Sequence, residues 1–577
     1  MKTYTEILKE NKELKKLVQG PELHVKLLAN VTIHQLKELI EYELLKQSIT
    51  PIVEIGNYDN IVQDAMQVSK DTDVVIVFWE LANLTEGFEY RSATISNEKY
   101  ESLLEEVKAQ IELTLSSLKE VSLVIFNKFT SLHFSANLLE ENKFDKAAEI
   151  LNAYLDTLDY NNVRYVDVNK VLYITGQDSS LDLRNYYSSK SLYSINYYRN
   201  YVNQIKHYLL PLTGKIKKAL ILDCDNTLWR GIIGEDGIEG IKMSGLTSKG
   251  RPYAAVQHMA HRLASEGILI ALSSKNNEDD VQEVLENHPD MILQEDLITM
   301  KMINWNDKAS NIRKIAETLN IGLDSFIFID DSAFEIGLIN EQLPEVTTFR
   351  VPSKTHLYPL EFAEIVNSFY RLSKSAEDLK KVEMYKQQAK RVKAESDFAS
   401  MSDYLNSLQI EIEIFRNEAS LISRLAQMTQ KTNQFNLTTR RYTETDVFGF
   451  IESNNYNVYA ISVRDKYGES GVTGLAILEY LDDGSVNIDS FLMSCRIIGR
   501  GIEDAFISHI MNDIKESAIV KAQYIETKKN KQVEQFYDKF GFSAKEVENG
   551  IKNYQLNIKE YTPVNASHIK IFNGRKA

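Results

Sequence analysis

The residues of this chain best suited to chemistry are two aspartates separated by one cysteine, Asp223 and Asp225, in the run KALILDCDNTLW from Lys218 to Trp229. The apolar stretch before them, Ala219 to Leu222, reads as a buried strand that delivers them at its C-terminal end, and period 2 puts both carboxylates on the same side. Ligands of open α/β sheets sit at that end. Like charges so close need a cation or a shared proton, so the pair implies either a divalent metal site or one nucleophile with one acid/base partner. Three further segments fit the same site. ILIALSSK ends in Ser273, Ser274 and Lys275, NWNDKASNIRKI presents Lys308 at the start of a helix, and FIFIDDS ends in Asp330 and Asp331.

The elements that must position these groups fall into unlike parts. Residues 1–212 alternate β-type runs (HVKLLANVTI, TPIVEIG, DVVIVFW, VSLVIFN, VRYVDV) with helical patterns such as HQLKELIEYELLKQ and FDKAAEILNAYLDTL, which predicts a doubly wound, mostly parallel α/β domain. Residues 213–363 continue the alternation with strands that end in acidic and hydroxyl residues, a second α/β domain. Residues 364–396, without Pro or Gly and rich in Lys, Glu and Gln, suit an exposed connecting helix. From 397 to 577, period-2 runs (NVYAISVRD, VTGLAILEYL, VNIDSFLM) surround a few helices and predict an α+β domain. Between the first aspartates and Ser274, RGIIGEDGIEGIKMSGL reads as a Gly-rich hairpin followed by a helix, too little for a cap domain, so the site is expected to be open.

Composition sets the outer bounds. With 577 residues, 43% apolar and 26% charged, the chain has the make-up of a folded multidomain protein, and disorder and low-complexity arrays are excluded. A formal net charge of -16 argues against general attraction to nucleic-acid phosphates or anionic membranes. Two cysteines, Cys224 and Cys495, make no disulfide framework. The N-terminus lacks the apolar core of a signal peptide, and no apolar run approaches the ~20 residues of a membrane span, so a cytoplasmic location is expected. None of the ten histidines has metal-ligand spacing with a second ligand.

The central residues resemble the haloacid dehalogenase (HAD) superfamily of phosphotransferases, whose motif I, DxDx[TV], is met by Asp223, Asp225 and Thr227. Motif II is matched by Ser274, with Ser273 as a register alternative, motif III by Lys308, and the acidic motif IV by Asp330 and Asp331. The resemblance implies that Asp223 attacks phosphorus and that Asp225 gives a proton to the leaving group and later takes one from water. It implies Mg²⁺ held by Asp223, the Asp225 main-chain carbonyl and Asp330, with Asp331 beside them, and Ser274 and Lys308 neutralising the phosphoryl oxygens with Thr227 near the substrate.

In the last part, CRIIGRG (Cys495 to Gly501) lies between a strand and a helical run, and its Arg496, Gly499 and Gly501 offer backbone N–H groups at a helix N-terminus. This segment resembles motif A of the GNAT acyltransferases, and EQFYDKFGF resembles their late segment. Together with LDCDNTLWRGIIGE, SSKNNEDDV, NWNDKASNI and TQKTNQFNLTTRRYT, these strings resemble the FkbH family, HAD proteins of subfamily IIIC. That resemblance implies transfer of the glyceryl group of 1,3-bisphosphoglycerate, first to an enzyme thiol and then to the phosphopantetheine of an acyl carrier protein. Cys495, beside a cationic arginine, is the preferred thiol, whereas alternation turns Cys224 towards packing. Asn433, Arg440 and their neighbours in KTNQFNLTTRRY (Lys431 to Tyr442) are expected to line a cleft and bind phosphate or the glycerate.

The N-terminal domain resembles an SGNH hydrolase without its triad: Asn30 stands where the serine would be, and Lys170, after Asp167, stands where histidine would be. A docking scaffold is the expectation. The alternative to glyceryl transfer is a HAD phosphatase acting on a small phosphorylated metabolite or sugar in surface-polysaccharide assembly.

Overall fold

The computed structural model describes residues 2–371, 385–387, 391, 400–432, 434–494, 497–514, 519–527, 530–548, 550–564 and 566–574. By internal contacts the chain forms two compact units, residues 1–216 with 370–372, and 217–369 with 373–577. The connecting helix expected over 364–396 lies largely outside the described residues. The helix Tyr358–Asn367 covers its start.

The first unit is built on β1 (Glu22–Ala29), β2 (Thr50–Ile55), β3 (Val74–Phe78), β4 (Leu123–Asn127) and β5 (Val163–Val166), all parallel in the order β2-β1-β3-β4-β5. Alternate residues of each strand feed two cores. Leu27, Ile76 and Ile125 pack with Tyr197 and Tyr201 on one face, while Val75, Val124 and Phe126 pack with Leu104 and Leu151 on the other. Helix-covered parallel strands are buried on both faces, which is why these runs are continuously apolar.

The second unit holds two sheets. The first comprises β6 (Ala219–Leu222), β7 (Leu269–Ser274), β8 (Met300–Ile303), β9 (Phe326–Asp330) and β10 (Thr347–Arg350), again all parallel, in the order β10-β9-β6-β7-β8. The chain runs outward from β6 through β7 to β8, then returns to β9 on the other side of β6. The crevice at such a reversal is where open α/β sheets bind ligands. The register Leu222↔Ile329 brings Asp223 and Asp330 level across it.

The Gly-rich hairpin expected after β6 is one only at its neck. Arg230 and Lys242 exchange backbone hydrogen bonds of 3.0 and 2.9 Å, but the enclosed residues Ile233–Gly240 are helical, broken at Gly237 (φ 66°). The Asp236 carboxylate accepts from the Ile232 N–H at 2.8 Å and caps this turn, which favours helix over a strand pair. Helix Arg251–Ser265 follows. Gly250 precedes it with its Cα against backbone: a Cβ would lie 2.5 Å from both N and O of Ser244. Gly250→Ala is therefore expected to cost about 1–3 kcal/mol by forcing this turn apart, measurable as a lower urea midpoint. An unchanged midpoint would show that the turn yields freely.

The second sheet is α+β in character, with β11 (Ile410–Arg416), β12 (Tyr456–Asp465), β13 (Gly468–Tyr480), β14 (Val486–Met493), β15 (Ile519–Ile525), β16 (Ser543–Glu548), β17 (Ile551–Asn557) and β18 (Ile569–Asn573). Its order is β16-β17-β15-β14-β13-β12-β11-β18, antiparallel except for the pairs β14/β15 and β11/β18. The three expected runs are β12, the body of β13, and β14. Among the described residues, no helix is long and apolar enough to cross a membrane.

Candidate active site

At the β6/β9 crevice, Asp223, Asp330 and Asp331 each offer one carboxylate oxygen, all within 4.8 Å of one another. Lys308 supplies their counter-charge. It is the first residue of helix Lys308–Leu319, whose N-cap Asp307 accepts from the Ser310 N–H at 2.8 Å. Its Nζ lies 2.7 Å from Asp223 Oδ1 and 2.6 Å from Asp330 Oδ2, and 5.9 Å from the centre of the Phe328 ring. Asp330 is further fixed by the Ser332 N–H, donating to Oδ1 at 2.8 Å.

Burial pushes the Asp223 carboxyl up to about 6, opposed by Lys308 and reinforced by Asp330. Burial likewise raises Asp330 and Asp331. Burial works to lower the Lys308 ammonium, but the attraction of Asp223 and Asp330 prevails and raises it. Two buried carboxylates and a half-buried one facing one lysine are short of positive charge. The oxygen-only donor set fits a hard divalent cation.

Asp225 is placed differently from the expectation of shared strand alternation. The strand stops at Leu222, and Asp225 lies in the following turn, where Asn226 takes a left-handed φ of 53°. Its carboxylate is outside the three-carboxylate group: Oδ1 accepts from Trp229 Nε1 at 2.9 Å and from the Ile233 N–H at 3.0 Å, and Oδ2 from Asn276 Nδ2 at 2.9 Å. The metal contact expected of Asp225 was through its main-chain carbonyl, and its side chain is engaged elsewhere. Asn276 Nδ2 also donates to Ser274 Oγ at 3.1 Å, and Ser274 acts to lower the Asp223 carboxyl against its burial. Ser274 thus joins this network, whereas the fully buried Ser273 hydroxyl has no hydrogen-bond partner among the described residues. Thr227 is enclosed as well, its carbonyl accepting from the Tyr358 hydroxyl at 3.3 Å. Cys224 packs among Leu220, Leu228 and Trp229, and burial pushes its thiol far above the ordinary range. Asn276 and Trp229 had not been singled out in the sequence. Asn276 carried a signal, being a polar residue just past a strand end.

In the last sheet, Cys495, Arg496 and Asn433 lie outside the described residues. Gly499 and Gly501 both have left-handed φ, 82° and 74°, and Gly501 caps helix Ile502–Asp513. The parallel strands β14 and β15 pair only from Val486↔Val520 to Ile488↔Ala522. Beyond that they are joined through Leu437, whose N–H donates to the Phe491 carbonyl at 3.1 Å while its own carbonyl accepts from the Ile525 N–H at 2.8 Å. The segment expected to line a cleft is therefore woven into the sheet at this point. Asn436 is buried, with Oδ1 accepting from the Thr439 N–H at 2.8 Å. Arg440 pairs with Asp489 and donates to Gln523 Oε1 at 3.0 Å.

In the first unit the sheet reverses between β1 and β3. Asn30 is buried there, donating to the Glu80 carbonyl at 2.9 Å and accepting from the Glu80 N–H at 2.6 Å. Lys170 is exposed, and Asp167 caps helix Val168–Thr175. The Glu80 carboxyl instead meets the Tyr193 hydroxyl, which lies 2.6 Å from His133 Nε2. Burial raises Glu80 to about 7 and lowers His133 to about 3. From pH 4.5 to 7 the folded chain keeps a proton on Glu80 that the unfolded chain has released, so this group's contribution to stability falls as pH rises through that window. His133 acts oppositely between pH 3 and 6.5. Glu80→Gln is expected to remove a fall of about 3 kcal/mol, making exchange protection of β1 and β3 amides at pH 8 greater than in the parent chain. Equal protection in both would refute the assignment.

Fold and site together define a doubly wound α/β domain whose switch point gathers carboxylates and a lysine able to hold a cation and a phosphoryl group. No family model matches the chain, and no curated protein does. Among solved structures, the N-terminal part of protein BF1531 from Bacteroides fragilis, which contains a phosphatase domain and was crystallised with Mg, is 26% identical. That match covers 65% of this chain and 100% of that one, with a TM-score of 0.56. The ribosomal-protein-S18-alanine N-acetyltransferase of Escherichia coli is 12% identical over 26% of this chain and 96% of its own, with a TM-score of 0.21. A variant of the Vibrio cholerae spermidine N-acetyltransferase SpeG is 13% identical over 26% and 95%, also at 0.21. At those scores the last sheet is read from its own topology.

Proposed function

We propose that this chain is a Mg²⁺-dependent phosphatase of the HAD type. The observation that carries the reading is the convergence of Asp223, Asp330 and Asp331 with Lys308 at the switch point of a parallel sheet. The likeness to a phosphatase domain complexed with Mg supports it. Bound Mg²⁺ would supply positive charge for the phosphoryl oxygens, and Asp223, Asp330 and Asp331 are the residues that would hold it. Lys308 anchors the phosphoryl group and keeps Asp223 ionised. An Asp223 oxygen forms a bond to phosphorus as the bond to the leaving oxygen breaks, and the Asp225 carboxyl gives that oxygen its proton. Asp225 then takes a proton from the water that hydrolyses the aspartyl phosphate.

Within that chemistry we propose an acyl phosphate, 1,3-bisphosphoglycerate, as substrate and a carrier-protein thiol as final glyceryl acceptor. The resemblance of the quoted strings to the FkbH family supports this, as does the small size of the insert between β6 and β7, which leaves room for a group carried on another protein. An enzyme thiolate would attack the acyl carbon, forming a thioester and releasing the 1-phosphate, and Asp223 would take the 3-phosphoryl group, so that a glyceryl thioester remains. Cys224, enclosed and with a raised thiol pKa, is ill suited to this, so the role falls to Cys495. The test is to incubate the protein with 1,3-bisphosphoglycerate and a holo carrier protein and weigh both. A glyceryl adduct on each supports transfer. Free phosphate without an adduct supports the alternative, hydrolysis of a small phosphorylated metabolite, and an adduct that persists in Cys495→Ser removes Cys495 from the proposal.

A further inference from the structure

Asp225 is tied down from two directions. Trp229, in the turn that Asp225 itself begins, and Ile233, at the start of the helical stretch after it, hold Oδ1. The donor to Oδ2, Asn276, comes from beyond the end of β7, a different strand. Only 6% of Asn276 is exposed, so its amide is held by protein and not by solvent. A carboxylate accepts and does not donate, which fixes the amide with its NH₂ towards Asp225. That NH₂ carries two hydrogens. One serves Asp225 and the other Ser274 Oγ, leaving the serine hydroxyl free to donate onward.

We infer that Asn276 is a positioning residue for phosphoryl transfer, locking the proton-donating carboxyl of Asp225 to the phosphoryl-binding Ser274 across the β6/β7 strand ends. This rests on the phosphatase reading and deepens it. The proton that Asp225 delivers must arrive at the leaving oxygen as the P–O bond breaks, and a carboxyl free to turn about its own loop would arrive there less often. Leaving groups differ in how much they need that proton. A phenolate of high basicity needs it, whereas a dinitrophenolate or the carboxylate released from an acyl phosphate departs as the anion.

The experiment compares kcat/KM, which reports steps through formation of the phosphoenzyme, for phenyl phosphate and 2,4-dinitrophenyl phosphate in the full chain with Mg²⁺. For Asn276→Ala, kcat/KM is expected to fall roughly tenfold to a hundredfold with phenyl phosphate and less than about threefold with the dinitrophenyl ester. Asn276→Asp keeps the size but cannot act as a donor when ionised, and it should show the same selective loss. Equal losses with both esters, or none with phenyl phosphate, would overturn the inference, because a general structural defect does not discriminate by leaving group. If both variants fail to fold, Asn276 holds the fold and the positioning role is likewise overturned. A parent chain inert towards both esters would defeat the phosphatase reading and this inference with it, an outcome distinct from equal losses in an active enzyme.

Discussion

Asp223→Asn is expected to reduce phosphate release by on the order of 10⁴-fold or more, to the background of the assay, while leaving the fold intact. The two side chains have the same shape, so the packing around the β6 end is preserved. An amide, however, does not form the aspartyl phosphate, and the change also removes the charge of one of the three carboxylates whose oxygens gather within 4.8 Å. The substitution has a second consequence. Burial holds the Asp223 carboxyl at about 6 against an ordinary 3.8, so between those values the folded chain binds a proton that the unfolded chain has lost. The parent protein's stability contribution from this group therefore falls as pH rises from 3.8 to 6 in metal-free buffer, and the asparagine variant should lack that fall. Steady-state phosphate release with Mg²⁺ and melting curves across that range read the two effects separately. Appreciable turnover by the variant would show that Asp223 is not the nucleophile.

Lys308→Met should produce the largest loss of stability at the site. The lysine is buried and lies within 2.7 Å of Asp223 and 2.6 Å of Asp330, so its removal leaves two enclosed carboxylates without their partner. Breaking a buried ion pair on one side costs about 3–5 kcal/mol, because an uncompensated charge remains. Methionine fills much of the same volume, so the loss reports charge more than packing. Saturating Mg²⁺ is expected to recover part of the stability by supplying positive charge to the same carboxylates, making the variant's melting temperature more dependent on Mg²⁺ than the parent's. Melting in chelator and in Mg²⁺ gives the comparison. Equal melting temperatures for variant and parent in chelator would show that the Lys308 pair adds nothing to stability.

Much of this site is legible in the chain itself because parallel strands are short apolar runs that stop abruptly, and the residues just beyond are the ones a switch point can use. Ala219 to Leu222, Leu269 to Leu272 and Phe326 to Ile329 are such apolar runs; Asp223 follows the first, and Ser274 and Asp330 close the strands of the other two. Period 2 misleads as soon as the strand ends. Asp225 belongs to a turn, and its orientation is set by Trp229, Ile233 and Asn276 instead of by the pleat. Which of Ser273 and Ser274 joins the side-chain network is likewise a matter of hydrogen bonding, which strand spacing does not encode. The pairing of Glu80 with Tyr193 spans 113 residues and brings two ordinary residue types together only through the packing of the first unit. The helical turn within Ile233–Gly240 was obscured by glycines, which suit a hairpin equally well until Asp236 caps the turn.

The decisive measurement is a crystal structure of the chain grown with Mg²⁺ and beryllofluoride, a mimic of a phosphoryl group on a carboxylate. The account predicts the mimic bonded to an Asp223 oxygen, a metal ion touching Asp223 and Asp330, and Lys308 turned towards the fluorides. A mimic bonded to any other residue, or a metal ion seated away from these carboxylates, would contradict it.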